Sequence, residues 1–479
     1  MTISSPDSKD SLGGDGGLPL PQRNWAVLAI SLNTLMVVID QAILTVALPT
    51  AARALSVTQS EVISLVAVSQ IVSLIALLPF AAWGDRIGHT RLFRGGQALF
   101  VAGSLACMVA PTLPTLLIAR GIQAIGAAAL LSVGVALLRA IYPANMLGKG
   151  LGINGVLIAA GAAIAPSLGG LVVATIGWRW VFVCALPLAI GSMLFGRYLP
   201  KSATLHPNFD WRGALQYAVT ASLIASAFST FAYGGTAIAA ASLFVAAMGI
   251  GTLFVRREMG RARPILPVDL LAKPVFARSV SAAFTAFMGA TTMLLSMPFL
   301  LESILGPHPA EIGAVMMAWP GAMIISAPLA GALADRMPGG SLSALGMALA
   351  CAGFVLIANA PADASHFELA PRIALCGFGM GFFISPNSRL LIGATPPART
   401  ASVGGLISTT RILGQSSGAA LVALLMQPWL NRGDTAPMIA AGLALMAGLL
   451  SAANMLPGVR QSAPVRPHVD LPFSEEDIV

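Results

Sequence analysis

Apolar runs, each close to the length of a bilayer crossing, follow one another almost without pause from Trp25 to Leu456. A crossing helix needs about 20 mostly apolar residues. Fourteen runs qualify, at roughly 25–48, 61–82, 93–110, 114–138, 150–174, 178–197, 212–232, 235–255, 276–301, 311–334, 341–359, 370–393, 400–426 and 436–456. Only 10% of the residues are charged and 56% are hydrophobic, against about 25% charged in a soluble domain. A soluble fold would expose large apolar areas, so the expectation is an all-α polytopic membrane protein. The abundant Gly and Ala suit closely packed membrane helices.

The net charge of +8 is explained by where the cations fall. With a cytoplasmic N-terminus and fourteen spans, 21 of the 27 basic residues lie in inside segments and four outside, with Arg120 and Arg411 inside spans. That asymmetry satisfies the positive-inside rule, and one span more or fewer would reverse everything downstream. The expectation is a cell (inner) membrane protein with both termini cytoplasmic and no nucleic-acid partner. Residues 1–24 lack a basic segment followed by a short apolar core, so they read as a cytoplasmic tail and not as a cleaved leader.

A charged knot, Ala81-Ala82-Trp83-Gly84-Asp85-Arg86-Ile87-Gly88-His89-Thr90-Arg91, separates spans 2 and 3. It has an echo 250 residues later, Gly331-Ala332-Leu333-Ala334-Asp335-Arg336, after span 10. Transporters are often built from repeated halves. Two six-span halves would place the echo after span 8, so two spans are inserted, and 212–255 with its Gly234-Gly235 reversal is the natural insertion. The expected layout is a tail at 1–24, a six-helix half at 25–200, inserted spans at 201–260, a second half at 261–456 and a tail at 457–479.

At these residues the chain resembles the major facilitator superfamily, in particular its fourteen-span drug:proton antiporter branch. Asp40-Gln41-Ala42-Ile43-Leu44-Thr45-Val46-Ala47-Leu48-Pro49 resembles that branch's span-1 signature, with Ala42 and Thr45 replacing Thr and Asn. The knot resembles the loop signature Gly-x-Leu-Ala-Asp-Arg-x-Gly-Arg-Lys, with Ala81, Trp83, His89 and Thr90 departing from it. Arg120-Gly121-Ile122-Gln123-Ala124-Ile125-Gly126 resembles the span-4 signature. Gly161, Ala165, Pro166, Gly169 and Gly170 resemble the antiporter signature of span 5, with Ala165 replacing a Gly. Trp178-Arg179-Trp180-Val181-Phe182 and Pro187 resemble the start of span 6. The resemblance implies the major facilitator fold and proton-coupled export of small organic, amphipathic compounds by alternating access. Metabolite uptake by symport is the alternative, and a non-transporting sensor a more distant one.

Asp40 lies within span 1, where a charge needs a partner, water or a proton. Asn33, Met36 and Asp40 are spaced i, i+3, i+7, which puts both polar groups on one helix face, expected to face a cavity. Asp40 reads either as a proton or cation site or as a structural tie to a neighbour. Arg120 begins about 9 Å in from the outer end of span 4. If both spans line the cavity, as the resemblance implies, Asp40 and Arg120 meet, and a guanidinium close to a carboxylate alters its proton affinity. Asn33, Gln123, Arg411 and Gln415 are the candidate cavity residues. Ser408, Arg411 and Gln415 share a face of span 13, and Arg411 either lines the cavity or pairs with another helix.

Gly161, Ala165 and Gly169 form a smooth stripe beside Pro166 that admits a close neighbour and a bend. Asp85, Arg86, Gly88 and Arg91 are expected to form an inner-face latch, with Asp335 and Arg336 a weaker counterpart. Glu302 ends span 9 near the outer surface and reads as a solvated outer-loop carboxylate before it reads as a substrate ligand. Met293, Met297, Phe299, Met316, Met317 and Trp319 read as ordinary lipid-facing packing before they read as an adaptable binding wall.

The sequence has no phosphate-binding Gly-x-x-x-x-Gly-Lys-Ser/Thr loop, no metal-ligand cluster and no catalytic constellation. No cofactor, metal or enzymatic activity is expected, and the four cysteines read as buried thiols. A small-molecule substrate, protons and the lipid bilayer are the expected partners of a monomer.

Overall fold

A computed structural model describes residues 17–143, 146–200, 211–232, 235–259, 268–334, 336–395, 400–427 and 434–455. Asp335, most of the N-terminal tail and the tail at 457–479 lie outside the described residues.

With no water in the hydrocarbon to pair backbone groups, each crossing segment closes its own hydrogen bonds as a helix. The first half comprises α1 (Gln22–Leu55), α2 (Gln59–Ile87), α3 (His89–Val109), α4 (Leu113–Ile141), α5 (Leu147–Thr175) and α6 (Leu186–Phe195), the last entered through a 3₁₀ turn at Trp178–Phe182. Then come α7 (Trp211–Ala232) and α8 (Ala237–Met259). The second half is α9 (Pro274–Leu305), α10 (Pro309–Met316) continued by α11 (Ala318–Leu333), α12 (Gly339–Ala358), α13 (His366–Gly393), α14 (Thr400–Leu425) and α15 (Thr435–Ala452). No strand occurs among the described residues.

Local chemistry sets the reversals. Thr58 and Glu61 open α2 with a capping box, the Glu61 carboxylate accepting from the Thr58 amide at 2.8 Å. Gly88 turns α2 into α3 at φ +98°, a conformation that L side chains rarely adopt. His89 and His366 start α3 and α13.

Among the described residues, twelve helical segments are long and apolar enough to cross a membrane. The two long helices outside that set are α7 and α14. α14 falls short because it carries Ser408, Thr409, Thr410, Arg411, Gln415, Ser416 and Ser417, so hydropathy alone does not establish fourteen crossings.

The packing repeats. α1 packs on α5 and α6, and α9 packs likewise on α14 and α15. α3–α4 recurs as α12–α13, and α2–α4 as α11–α13. Glycines carry the register. A Cβ on Gly96 or Gly103 of α3 would meet the Gly126 carbonyl oxygen at 3.1 Å or the Gln123 amide at 2.5 Å. On Gly346 or Gly353 of α12 it would meet the Gly379 carbonyl oxygen at 2.7 Å or the Cys376 amide at 2.9 Å. Both α12 glycines stand 250 residues after their α3 counterparts, the offset of the Asp-Arg echo.

The halves join along two related seams, α2 against α14 and α5 against α10–α11. α7 lies outside the first seam, touching both α2 and α14, and α8 lies beyond α7. The Tyr217 hydroxyl anchors this hairpin by donating to the Leu74 carbonyl at 2.7 Å.

The bundle is closed at one end. There a core cluster combines Ile43–Ala52 residues of α1, Leu295 and Phe299 of α9, and Ala419, Val422 and Ala423 of α14. Arg53 and Glu302 form an ion pair across the halves at that end. Toward the end carrying the Asp85 knot α5 loses its cover, while α2 and α14 stay in contact through Leu78, Val403 and Leu406. No residue of α5 between 153 and 160 is buried, whereas Gly161, Ala163, Ala165, Pro166, Gly169 and Gly170 are.

Candidate functional site

α1 and α4 bring Asp40 and Arg120 together in the middle of the first half. They are 4% and 3% exposed. One guanidinium nitrogen, Nη1, donates to both Asp40 oxygens, at 3.1 Å to Oδ1 and 2.9 Å to Oδ2. Gln123, one turn further along α4, is 1% exposed. Its Nε2 donates to Asp40 Oδ1 at 2.8 Å, and its Oε1 accepts from Arg120 Nη1. Ser104 of α3 completes the ring, its Oγ 2.7 Å from Gln123 Nε2. The Phe182 ring lies 5.9 Å from the Arg120 guanidinium carbon.

The spacing explains the arrangement. Arg120 and Gln123 are three apart and project from the same face of α4. Gly103 lets α4 press on α3 at Gln123. A carboxylate in hydrocarbon needs hydrogen-bonding partners, and three hydrogen bonds reach it here. The pairing is not a guanidinium fork, and Arg120 Nε has no hydrogen-bond partner among the described residues. A small cleft lined by Asp40, Gln41, Ser69, Ser73, Arg120 and Gln123 adjoins the pair.

The other candidates fall in different places. Asn33 shares the Asp40 face but is 4% exposed, with its side-chain oxygen unpartnered among the described residues. Met36 beside it packs with Phe93, Phe100 and Ala127. That face therefore looks into the core of the first half, not into open solvent. Gln123 likewise belongs to the buried ring. Arg411 is exposed and Gln415 half-buried, although both lie mid-helix on α14.

The glycine stripe of α5 serves two neighbours. Gly161 faces Leu35 and Val38 of α1, and Gly169 meets Ile43. Ala165 is fully buried. Pro166 and Gly170 face the other half, where a Cβ on Gly313 would stand 2.3 Å from the Pro166 carbonyl oxygen. Ser167 donates to the Gly313 carbonyl at 3.4 Å along the same contact.

In the knot, Asp85 Oδ1 lies 3.0 Å from Nε2 of His89, one turn on. Arg86 and Arg91 are exposed, as is Arg336. Among the described residues the ion pair of Asp85 thus lies within the knot, and Thr90 ties the start of α3 to the Pro200 carbonyl at 2.7 Å.

Sequence reasoning missed two features. Glu302 is not a free loop carboxylate: it ends α9 and pairs with Arg53 in the last turn of α1. α1 and α9 are repeat mates, so opposite charges at the same end of mates were the available signal. Ser104 is one hydroxyl in an apolar run, and only its packing against Gln123 distinguishes it. Met293, Met297, Met316 and Trp319 are buried in the second half's core and do not face lipid, with Trp319 stacked 5.8 Å from Phe354; Phe299 is buried in the closing cluster between the halves, and Met317 is exposed.

Two repeated helical halves, a buried charge pair and an opening toward one end define an integral membrane transporter. The Major Facilitator Superfamily model matches residues 30–276 and 279–475, and the chain belongs to that family. It is 38% identical over 439 residues to the Escherichia coli K12 protein named "Uncharacterized transporter YebQ", covering 91% of this chain and 96% of that one. It is 28% identical to the riboflavin transporter RibZ of Clostridioides difficile, covering 83% and 87% of the two chains. To the methyl viologen resistance protein SmvA of Salmonella typhimurium it is also 28% identical, covering 92% and 91%. Among solved structures, a peptide transporter POT bound to sulfate superposes with a TM-score of 0.66 at 17% identity, covering 90% of this chain and 94% of that one, which speaks to the fold alone. The protein is a transporter and not an enzyme.

Proposed function

We propose that this transporter exports small organic, amphipathic compounds in exchange for protons by alternating access between its two halves. The observation that carries the reading is the sealed Asp40–Arg120–Gln123 ring beside a cleft. A proton reaching Asp40 would cancel its charge and loosen Arg120, which keeps its own charge. The guanidinium would then be free to re-pair, and its idle Nε leaves room for a second geometry. A carboxylate that alternates between guanidinium and proton is a coupling element, because each state favours a different helix arrangement.

In this reading the Arg53–Glu302 end is the outside, both termini lie in the cytoplasm, and the structure is the inward-open state of a monomer in the cell membrane. The basic-residue asymmetry supports that orientation. The proton step is Asp40 with Arg120, and the α5–α10 seam is the outer gate. The knot is a latch that engages when the inner end closes. α7 and α14 cross the membrane to make fourteen spans. Drug resistance is supported by the relationship to SmvA. Metabolite uptake by symport has its own support in the relationship to RibZ.

The experiment is transport by the full chain in proteoliposomes under an imposed pH gradient, with a panel of dyes, antiseptics and metabolites. Substrate moving against the proton flux is the expected result. Flux that ignores the gradient removes the coupling, and movement with the protons establishes the symport alternative.

A further inference from the structure

Arg411 has no described function in the charge ring, yet it stands at the middle of α14. Its neighbours on the helix show which way it looks. Ile412 packs with Leu74 of α2 and Ala221 of α7. Gly414 and Gly418 press on α9, where a Cβ on either would come within 2.6 Å of the Phe284 or Met288 carbonyl oxygen. α7 covers the outside of the α2–α14 seam. The face between α2 and α9, opposite α7, is therefore the inner face of the bundle, and by the 100° step of the helix it carries Gly404, Ser408, Arg411 and Gln415. Along that face Gly404 and Arg411 are exposed, whereas Val422 is fully buried. The face opens toward the Asp85 end and is sealed toward the Arg53–Glu302 end.

Charge is uneven across this interior. Asp40 and Arg120 neutralise each other in the first half. Glu302 and Glu311 pair with Arg53 and His366 at the closed end. Among the described residues Arg411 has neither an ion pair nor a hydrogen bond, and α14 carries no acidic side chain. An unpaired guanidinium on the wall of an opening attracts an anion and repels a cation, and its planar donors match a carboxylate or sulfonate.

We propose that Arg411 is the anchor for an acidic group on the substrate, so that the preferred substrates are amphipathic organic anions, with Ser408 and Gln415 as additional hydrogen-bonding groups on the same face. The proposal rests on the export reading for its physiological sense, but binding tests it without any gradient.

The test measures binding of 2-naphthoate and fluorescein as anions, and ethidium and methyl viologen as cations, to the purified full chain and to Arg411→Gln, Arg411→Lys and Arg411→Glu. Thermal unfolding is followed alongside. The unmodified chain is expected to bind the anions more tightly. Arg411→Gln should weaken anion binding by about ten- to a hundredfold, the loss of one charged hydrogen-bonding partner. Arg411→Lys should recover part of it, and Arg411→Glu should reverse the preference toward cations. Tighter cation binding by the unmodified chain, or unchanged anion binding in a folded Arg411→Gln protein, overturns the proposal. If Arg411→Gln does not fold, the comparison of Lys with the unmodified chain decides: equal affinity for anions and cations in both overturns it. Gradient-independent flux in the transport experiment removes proton coupling and leaves these outcomes intact.

Discussion

Gly170 on α5 and Gly313 on α10 meet with nothing but backbone between them. A Cβ on Gly313 would lie 3.2 Å from the Gly170 Cα, and one on Gly170 would lie 2.2 Å from the Pro309 carbonyl oxygen. Neither obstacle is a flexible side chain, so a substitution must push the two halves apart. The contact couples the local absence of a side chain to the closure of one whole end of the bundle.

Gly170→Val should therefore hold that end open. Overpacking of this kind costs about 1–3 kcal/mol, which shifts a two-state balance by about 5- to 150-fold. The check is the reactivity of a cysteine placed on α1 near Thr50 toward a membrane-impermeant thiol reagent. It should rise in Gly170→Val while substrate flux falls. Unchanged reactivity would mean the seam is static packing.

Asp40→Asn and Arg120→Lys should each abolish proton-coupled transport while the protein still reaches the membrane. Removing one partner of a buried pair leaves an uncompensated charge and costs about 3–5 kcal/mol. Arg120→Ala should therefore unfold at lower temperature than the double variant Asp40→Asn with Arg120→Gln, in which no charge is left alone. Full transport by both single variants would end the coupling role.

Arg53 and Glu302 pair at the rim, where Arg53 is half exposed. Such pairs contribute about 0.2–1 kcal/mol and are screened by salt. Glu302→Gln should raise cysteine reactivity at the closed end only modestly, and high salt should reproduce the effect in the unmodified protein. The charge swap Arg53→Glu with Glu302→Arg should restore the original reactivity; a swap that behaves like the single variant would show that the pair does not bridge the halves.

Gly88→Ala places a side chain at φ +98°, at a cost of about 1–3 kcal/mol, and should lower the unfolding temperature measured in detergent. Asp85→Asn should cut transport far more than Asp335→Asn, since the second loop has Pro338 where the first has Gly88 and Ser341 where the first has Arg91. Equal losses would count against an asymmetric latch.

The class of fold was legible before any coordinate. The apolar runs, the cation asymmetry and the 250-residue echo point to a repeated helical membrane protein, and Gly96 and Gly103 with Gly346 and Gly353 carry the same offset into the packing. The Asp40–Arg120 meeting was legible only through the resemblance, which implied that spans 1 and 4 face one cavity; a charge inside an apolar run says that a partner is needed, not which one. The burial of Asn33 was not legible, because a polar residue at the right helical spacing shows which face it shares, not what that face meets. The number of crossings was the weakest reading, since α14 gives up hydropathy to carry its polar inner face.

Composition and spacing are properties of one segment at a time, so the sequence by itself determined that helices form, how long they run and which residues share a face. Tertiary structure decided how each helix is rotated against its neighbours. That rotation divides the α5 stripe between α1 and α10, turns Asn33 into the core, joins Arg53 to Glu302 and leaves Arg411 exposed. The physical reason is that helix–helix contact in a membrane rests on many small packing terms between non-adjacent segments, and no single segment contains them.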